Sequence, residues 1–202
     1  MFKLDLCDGP MVVIKKHGEN IHVTDVEDKL WMKIASNENN VEFNIYPEFI
    51  PATYIGKKAK SIDEFKCNIS CKTRENALKC KYFLSDLIDY GYGTGYLIGQ
   101  KRWLVALDIC DITQIFASDL TLYGNITFDT KATAGEISEF CQKHHLREAN
   151  MVFVCMYTCD LDKADEILDC FCKEVPAECE VWCQYLCNDT TPEDNSIHIF
   201  YN

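Results

Sequence analysis

Met151-Val152-Phe153-Val154-Cys155-Met156-Tyr157 runs for seven residues without a charge, is rich in β-formers, and is bounded by Asn150 and Thr158. Such a run reads as a strand buried on both faces, not one that faces water. A helix-type segment precedes it and another follows it, which predicts a place inside a sheet with helices packed on it. Upstream, Thr133-Ala134-Gly135-Glu136 has the form of a capping box. It opens a helix to about His145, with Ile137, Phe140, Cys141 and His144 along one side. Downstream, Leu161, Ala164, Leu168, Phe171 and Val175 follow the i, i+3, i+4 rule, and Pro176 stops the helix. The carboxylates of this second helix lie toward its N-terminal half, where the helix dipole favours anions.

Residues 120–128 read as a strand pair or one kinked strand, interrupted at Gly124-Asn125. Residues 178–186 and 196–201 read as two final strands joined by a polar loop. The C-terminal part is thus β-α-β-α-β-β. If the strands near 120 and 151 are sheet neighbours, they should run parallel.

The first fifty residues look β-rich. Short apolar or alternating runs at 11–15, 20–24, 29–34 and 41–46 are separated by turn-like clusters, a spacing that suggests an antiparallel meander. In Val41-Glu42-Phe43-Asn44-Ile45 the alternation is clean, which predicts one wet face. Pro47 and Pro51 close this section. Residues 52–72 read as irregular and basic. A helix is expected over 73–90, with Thr73 as its cap and Gly91 at its exit. Gly91-Tyr92-Gly93-Thr94-Gly95 then leads into strands at 96–98 and 103–109. A phosphate cradle needs strand, glycines and then helix, so that helix amides point at the anion; the order here is the reverse. The expected fold is α+β: an N-terminal antiparallel β section over 1–56, a basic segment with the middle helix and a strand over 57–117, and a C-terminal α/β layer over 118–202. The parts are short enough to share one continuous domain.

At 48% hydrophobic, the 202-residue chain can fill a core. Its net charge of −12 is unevenly spread. Residues 57–81 hold 8 basic and 3 acidic side chains, a balance of +5, whereas residues 151–202 hold 2 and 11, a balance of −9. Most of the surface would repel a polyanion, which argues against direct nucleic-acid binding. The opening residues have no apolar core of the kind a secretory leader needs, and no window approaches a membrane span. A cytoplasmic setting with reduced thiols is the expectation, and the odd count of 13 cysteines fits free thiols.

Three constellations suggest chemistry. Cysteines recur at spacing four (Cys67 and Cys71; Cys155 and Cys159; Cys179, Cys183 and Cys187), which raises structural zinc. However, Cys155 lies inside an apolar strand, and 179–187 as a strand would hold its thiols too far apart for one ion. Cys141, His144 and Cys159 would be the first ligands of any metal; otherwise no cofactor is expected. A cysteine nucleophile would need a nearby base and an electropositive setting, whereas the cysteine-rich end is acidic. His22-Val23-Thr24 has the His-X-Thr form used by two-histidine phosphodiesterases, which need a second copy, and the nearest analogue, His198-Ile199-Phe200, lacks the hydroxyl.

The reading that fits the charge pattern best is an intracellular interaction protein. Asp160, Asp162, Asp165, Glu166, Asp169, Glu178 and Glu180 would dock on a basic surface of another macromolecule. A nucleic-acid-handling protein is one such partner, and an accessory or inhibitory protein of viral or phage type is one such role. The alternatives are an enzyme or small-ligand binder with a site assembled from distant residues, such as a phosphodiesterase around His22 and His198, or a zinc-binding structural protein.

Overall fold

A computed structural model describes residues 13–25, 27–46, 65–92, 101–103, 115–116, 121–127, 134–157, 161–188 and 196–202. Its N-terminal strands are β1 (Val13–His17), β2 (Asn20–Thr24), β3 (Leu30–Asn37), β4 (Asn40–Ile45) and β5 (Phe65–Cys71), followed by helix α1 (Arg74–Tyr92) and the short β6 (Lys101–Trp103). Next come β7 (Thr121–Thr127), α2 (Ala134–Lys143), a single 3-10 turn at Leu146–Glu148, β8 (Met151–Tyr157), α3 (Leu161–Glu174), β9 (Glu180–Asn188) and β10 (Ser196–Tyr201). α and β elements are therefore mixed, with the sheet predominant. Among the described residues, all ten strands lie in one sheet, in the order β1-β2-β3-β4-β5-β7-β10-β8-β9-β6.

The first five strands pair antiparallel, each with the next. Gly18, with a φ of 58°, forms the β1–β2 turn in the left-handed region that glycine enters without a Cβ clash. β4 has the predicted alternation: Val41, Phe43 and Ile45 are buried, while Glu42 is exposed and Asn44 half-buried. β5 corrects the expectation of an irregular segment. Phe65-Lys66-Cys67-Asn68-Ile69-Ser70-Cys71 alternates with period two once cysteine is counted as apolar, and Cys67, Ile69 and Cys71 turn inward. Likewise β7 runs through Gly124-Asn125 without a break. The strands expected at 96–98 and over most of 103–109, and the capping residue Thr133, lie outside the described residues.

β8 has the predicted bounds, and six of its seven residues are buried. Its side chains alternate between two cores. Met151, Phe153 and Cys155 join the cluster under α1, with Ala77, Phe83, Leu84, Tyr123 and Phe200. Val152, Val154 and Met156 join the cluster under α2 and α3, with Ile137, Ala164, Phe171 and Ile199. α1 therefore packs on one face of the sheet, and α2 and α3 on the other.

The condition for a parallel pair of β7 and β8 is not met: they are not sheet neighbours, because β10 lies between them and pairs antiparallel with both. β10 is buried on both faces (Ile197, Ile199 and Tyr201 on one, His198 and Phe200 on the other), so it takes an interior place in the sheet. The parallel pairs are instead β5 with β7 and β8 with β9, the latter joined through α3.

α1 begins with a side-chain cap, the Asn76 amide donating to Thr73 Oγ1 at 3.1 Å. α2 sits close to β7 because position 124 has no side chain. A Cβ on Gly124 would lie 2.4 Å from Phe140 Cζ, and Phe140 is itself stacked on His144 at 4.0 Å. Gly124→Ala should therefore destabilise the fold by ~1–3 kcal/mol through overpacking, and Phe140→Leu in the same chain should recover most of the loss. Urea midpoints of the two variants check this; a Gly124→Ala protein as stable as the parent would show that α2 is not seated at this contact.

Candidate functional site

α3 presents two opposite sides. Ala164, Ile167 and Phe171 are buried against β8 and β10, while Asp162, Asp165, Glu166 and Asp169 are exposed. Spacings of three and four residues place those carboxylates on one outward stripe. Glu178 and Glu180, in the turn into β9 and at its start, are exposed as well. Asp160 lies outside the described residues. Among the described residues the ion pairs are Lys15–Asp28, Lys79–Glu75 and Arg147–Glu174, and none uses a carboxylate of the stripe.

Glu174, by contrast, is committed inside the molecule. Ser138 of α2 donates to its Oε1 at 2.7 Å and Arg147 to its Oε2 at 3.4 Å, which clasps α2 to α3. The Ser138 hydrogen bond, with help from Arg147, holds this carboxyl below its ordinary range.

The basic side chains of α1 lie across the sheet. Lys79 pairs with Glu75 at 3.1 Å. Lys81 is buried, donates to the Glu19 carbonyl at 3.1 Å, and lies 5.1 Å from the centre of the Tyr82 ring.

The two histidines of the phosphodiesterase expectation do not meet. His22 lies on β2, opposite Lys33 and stacked near His17 at 4.7 Å, on the sheet face away from α1. His198 lies on β10, on the α1 face, stacked on Phe83 at 4.1 Å. Five strand spacings separate β2 from β10, ~24 Å at the usual interval. No substrate atom can lie between them, so the paired-histidine mechanism is excluded.

Instead, His198 is part of a buried polar network. Its Nδ1 is 2.7 Å from Tyr123 Oη and its Nε2 is 3.3 Å from Ser196 Oγ. Burial, with a smaller push from Lys79, drives the imidazole down to about 3. Burial also raises the Tyr123 phenol, so both rings are neutral near pH 7. With the phenol as donor to Nδ1, Nε2–H donates to Ser196 Oγ. In that tautomer His198 does not take a proton from Ser196, and the low basicity of the buried ring does not favour a serine nucleophile. A similar pair lies on the other face. His144 Nδ1 meets Tyr201 Oη at 2.5 Å, and burial lowers His144 to about 4.

Of the residues first considered for metal, Cys141 is buried and its thiol pushed up to about 12, mainly by burial. His144 is engaged with Tyr201 and Phe140, and Cys159 lies outside the described residues. Among the described residues no group of three or more His, Cys, Asp or Glu side chains is placed to hold an ion. Burial likewise raises Cys67 to about 11 and lifts Cys80 and Cys155, so these thiols are core residues, not nucleophiles. Sequence reasoning missed Tyr123 and Ser196 as partners of His198. Tyr123 is 75 positions away, and no local spacing announces the contact.

No helix among the described residues is long and apolar enough to cross a membrane. No protein-family model matches the chain, and no curated protein matches it. Among solved structures it is similar in part to FtsZ from M. jannaschii. An empty FtsZ dimer gives a TM-score of 0.38 at 16% identity, over 61% of this chain and 38% of that one. A single-substitution variant of the same protein gives 0.39 at 16%, over 61% and 40%. The match spans about two fifths of the FtsZ chains' length, and a likeness of this degree carries no argument about function.

The buried imidazoles set an acid limit on stability. The unfolded chain protonates His198 below about 6.5, whereas the folded chain refuses the proton until about 3, so its stabilisation is complete above 6.5 and is lost as pH falls through that window. Between pH 7 and pH 4.5 this residue should cost the parent ~2–3 kcal/mol. His198→Phe should be weaker at pH 7 yet lose distinctly less on acidification. Urea midpoints at the two pH values test this; an equal loss in both proteins would show that His198 is not held neutral.

Proposed function

We propose that this chain is an interaction protein that docks, through the outward stripe of α3 and the turn that follows, on a basic surface of another macromolecule. The observation that supports the reading is the exposure of Asp162, Asp165, Glu166 and Asp169 on one side of a helix whose other side is fixed in the core. Glu178 and Glu180 extend the anionic surface beyond the far end of the helix. A rigid, pre-formed row of carboxylates binds without the cost of ordering a flexible tail. It also steers an oppositely charged partner toward the correct face. The partner we propose is a nucleic-acid-handling protein, whose groove for an anionic backbone is a basic surface of the right sign; occupying that groove would make the chain an inhibitor or accessory subunit. Neither the histidines nor the described thiols favour a catalytic reading.

Affinity capture from native lysate tests the proposal when run with a charge-reversed control. The parent chain should retain a partner at ~0.1 M salt and release it at ~1 M, where the screening length falls from ~10 to ~3 Å. A variant carrying Asp162→Lys, Asp165→Lys, Glu166→Lys and Asp169→Lys should fail to retain that partner at either salt while keeping its far-ultraviolet circular dichroism. Recovery of the same partner by parent and variant alike would end the docking reading.

A further inference from the structure

Across the sheet from the acidic stripe, a groove of about 490 Å³ runs between α1 and the ends of β7, β8 and β10. One bank is a stripe of α1, Glu75, Lys79, Tyr82 and Asp86, at spacings of four, three and four. The floor is the open side of the His198 network: Asn125 and Thr127 of β7, Ser196 of β10 and Tyr157 of β8. These groups are held in place. Asn125 Nδ2 donates to the Ile197 carbonyl at 3.1 Å, Thr127 Oγ1 donates to Asn125 Oδ1 at 3.2 Å, and Tyr157 Oη donates to Asp86 Oδ2 at 3.2 Å. The volume is that of a small-ligand site, with an apolar wall and a few convergent polar groups.

We propose that this groove binds an uncharged, hydroxyl-rich ring compound, a monosaccharide or disaccharide. Charge narrows the class first. The bank itself carries two carboxylates and one ammonium, and that ammonium is 3.1 Å from Glu75, so a phosphate over the floor would meet a surplus of negative charge. An organic cation would meet Lys79, and beside Tyr82 it would meet Lys16 and Lys81, whose ammonium groups lie 5.2 and 5.1 Å from the ring centre.

Hydrogen-bonding capacity narrows it further. A sugar hydroxyl both donates and accepts, so it needs a lining that does both. Ser196 Oγ accepts from Nε2–H and keeps its own proton to donate, Asn125 retains a second amide hydrogen, and Thr127 Oγ1 retains acceptor capacity. Tyr82 is 47% exposed and lines the groove, so its ring gives an apolar wall against which the C–H groups of a pyranose can pack, with the Lys16 and Lys81 ammonium groups 5.2 and 5.1 Å from the ring centre.

Saturation-transfer NMR on the full chain tests this with glucose, galactose, mannose, N-acetylglucosamine, maltose and lactose as probes, and inorganic phosphate, spermidine and adenosine as counter-probes. At least one neutral saccharide should receive saturation, with a millimolar-range dissociation constant that Tyr82→Ala and Asn125→Ala each weaken ~10-fold, the effect of about one lost contact. Tyr82 is at the surface, so its variant reports on binding even if Asn125→Ala lowers stability. Transfer to no saccharide, transfer unchanged in Tyr82→Ala, or transfer to a counter-probe but not to a sugar would each overturn the proposal.

Discussion

The structure depends on two adjacent strands, β8 and β10, that have no wet face. A strand apolar on both sides must be covered on both sides, and its backbone donors and acceptors must be paired along both edges. Antiparallel pairing of β10 with β7 and with β8 meets the second demand, and α1 on one face with α2 and α3 on the other meets the first. The consequence for function is direct. Because α3 is required as a lid, with Ala164, Ile167 and Phe171 pressed into the core, its orientation is fixed, and its charged residues have one direction left to face. The acidic stripe is thus the solvent side of an element that the core holds in place.

The same dry strands explain why polar groups occur so deep. β10 carries His198 toward α1 and Tyr201 toward α2, and each finds one aromatic partner of complementary hydrogen-bonding capacity: Tyr123 for the first, His144 for the second. A one-residue slip of β10 against β7 would send His198 into the cluster of Ile137 and Ala164 and Tyr201 among Phe83 and Phe153, leaving both pairs broken. The His–Tyr contacts therefore favour one register of a strand whose apolar residues alone would tolerate either face. The imidazoles serve this role as neutral rings, and the low basicity that burial gives them makes them poor general bases.

How much of this was legible depended on the range of the interaction. β8, β2 and β10 have the bounds that periodicity and turn residues suggest, because a strand's extent is set by local pattern. Thr73 as a helix cap is equally local. β5 was hidden by its composition: three polar residues alternate with two cysteines, and the signal emerges only when a thiol is treated as a small apolar group. The insertion of β10 between β7 and β8 was not legible. The chain returns to that gap after two helices and two strands, and several orders would bury the same side chains. The candidate sites divide the same way. The carboxylate stripe could be read from helical spacing, whereas the groove joins residues from α1, β7, β8 and β10 that only the sheet order brings together.

The asymmetry of charge follows from the topology. Residues 57–81 carry a balance of +5 and residues 151–202 a balance of −9, and a compact chain could have folded one over the other. The sheet prevents this for the helices. Arg74, Lys79 and Lys81 ride on α1, the acidic stripe rides on α3, and the strands with their two core layers stand between them. The separation is on the order of 20 Å, two element packings of roughly 10 Å each, or more than two screening lengths at physiological salt. At that distance Arg74, Lys79 and Lys81 screen the carboxylates of α3 little. Part of this positive charge is also used locally, Lys79 by Glu75 and Lys81 by the Glu19 carbonyl. A basic partner approaching α3 would therefore meet a field that the cations of α1 do little to weaken.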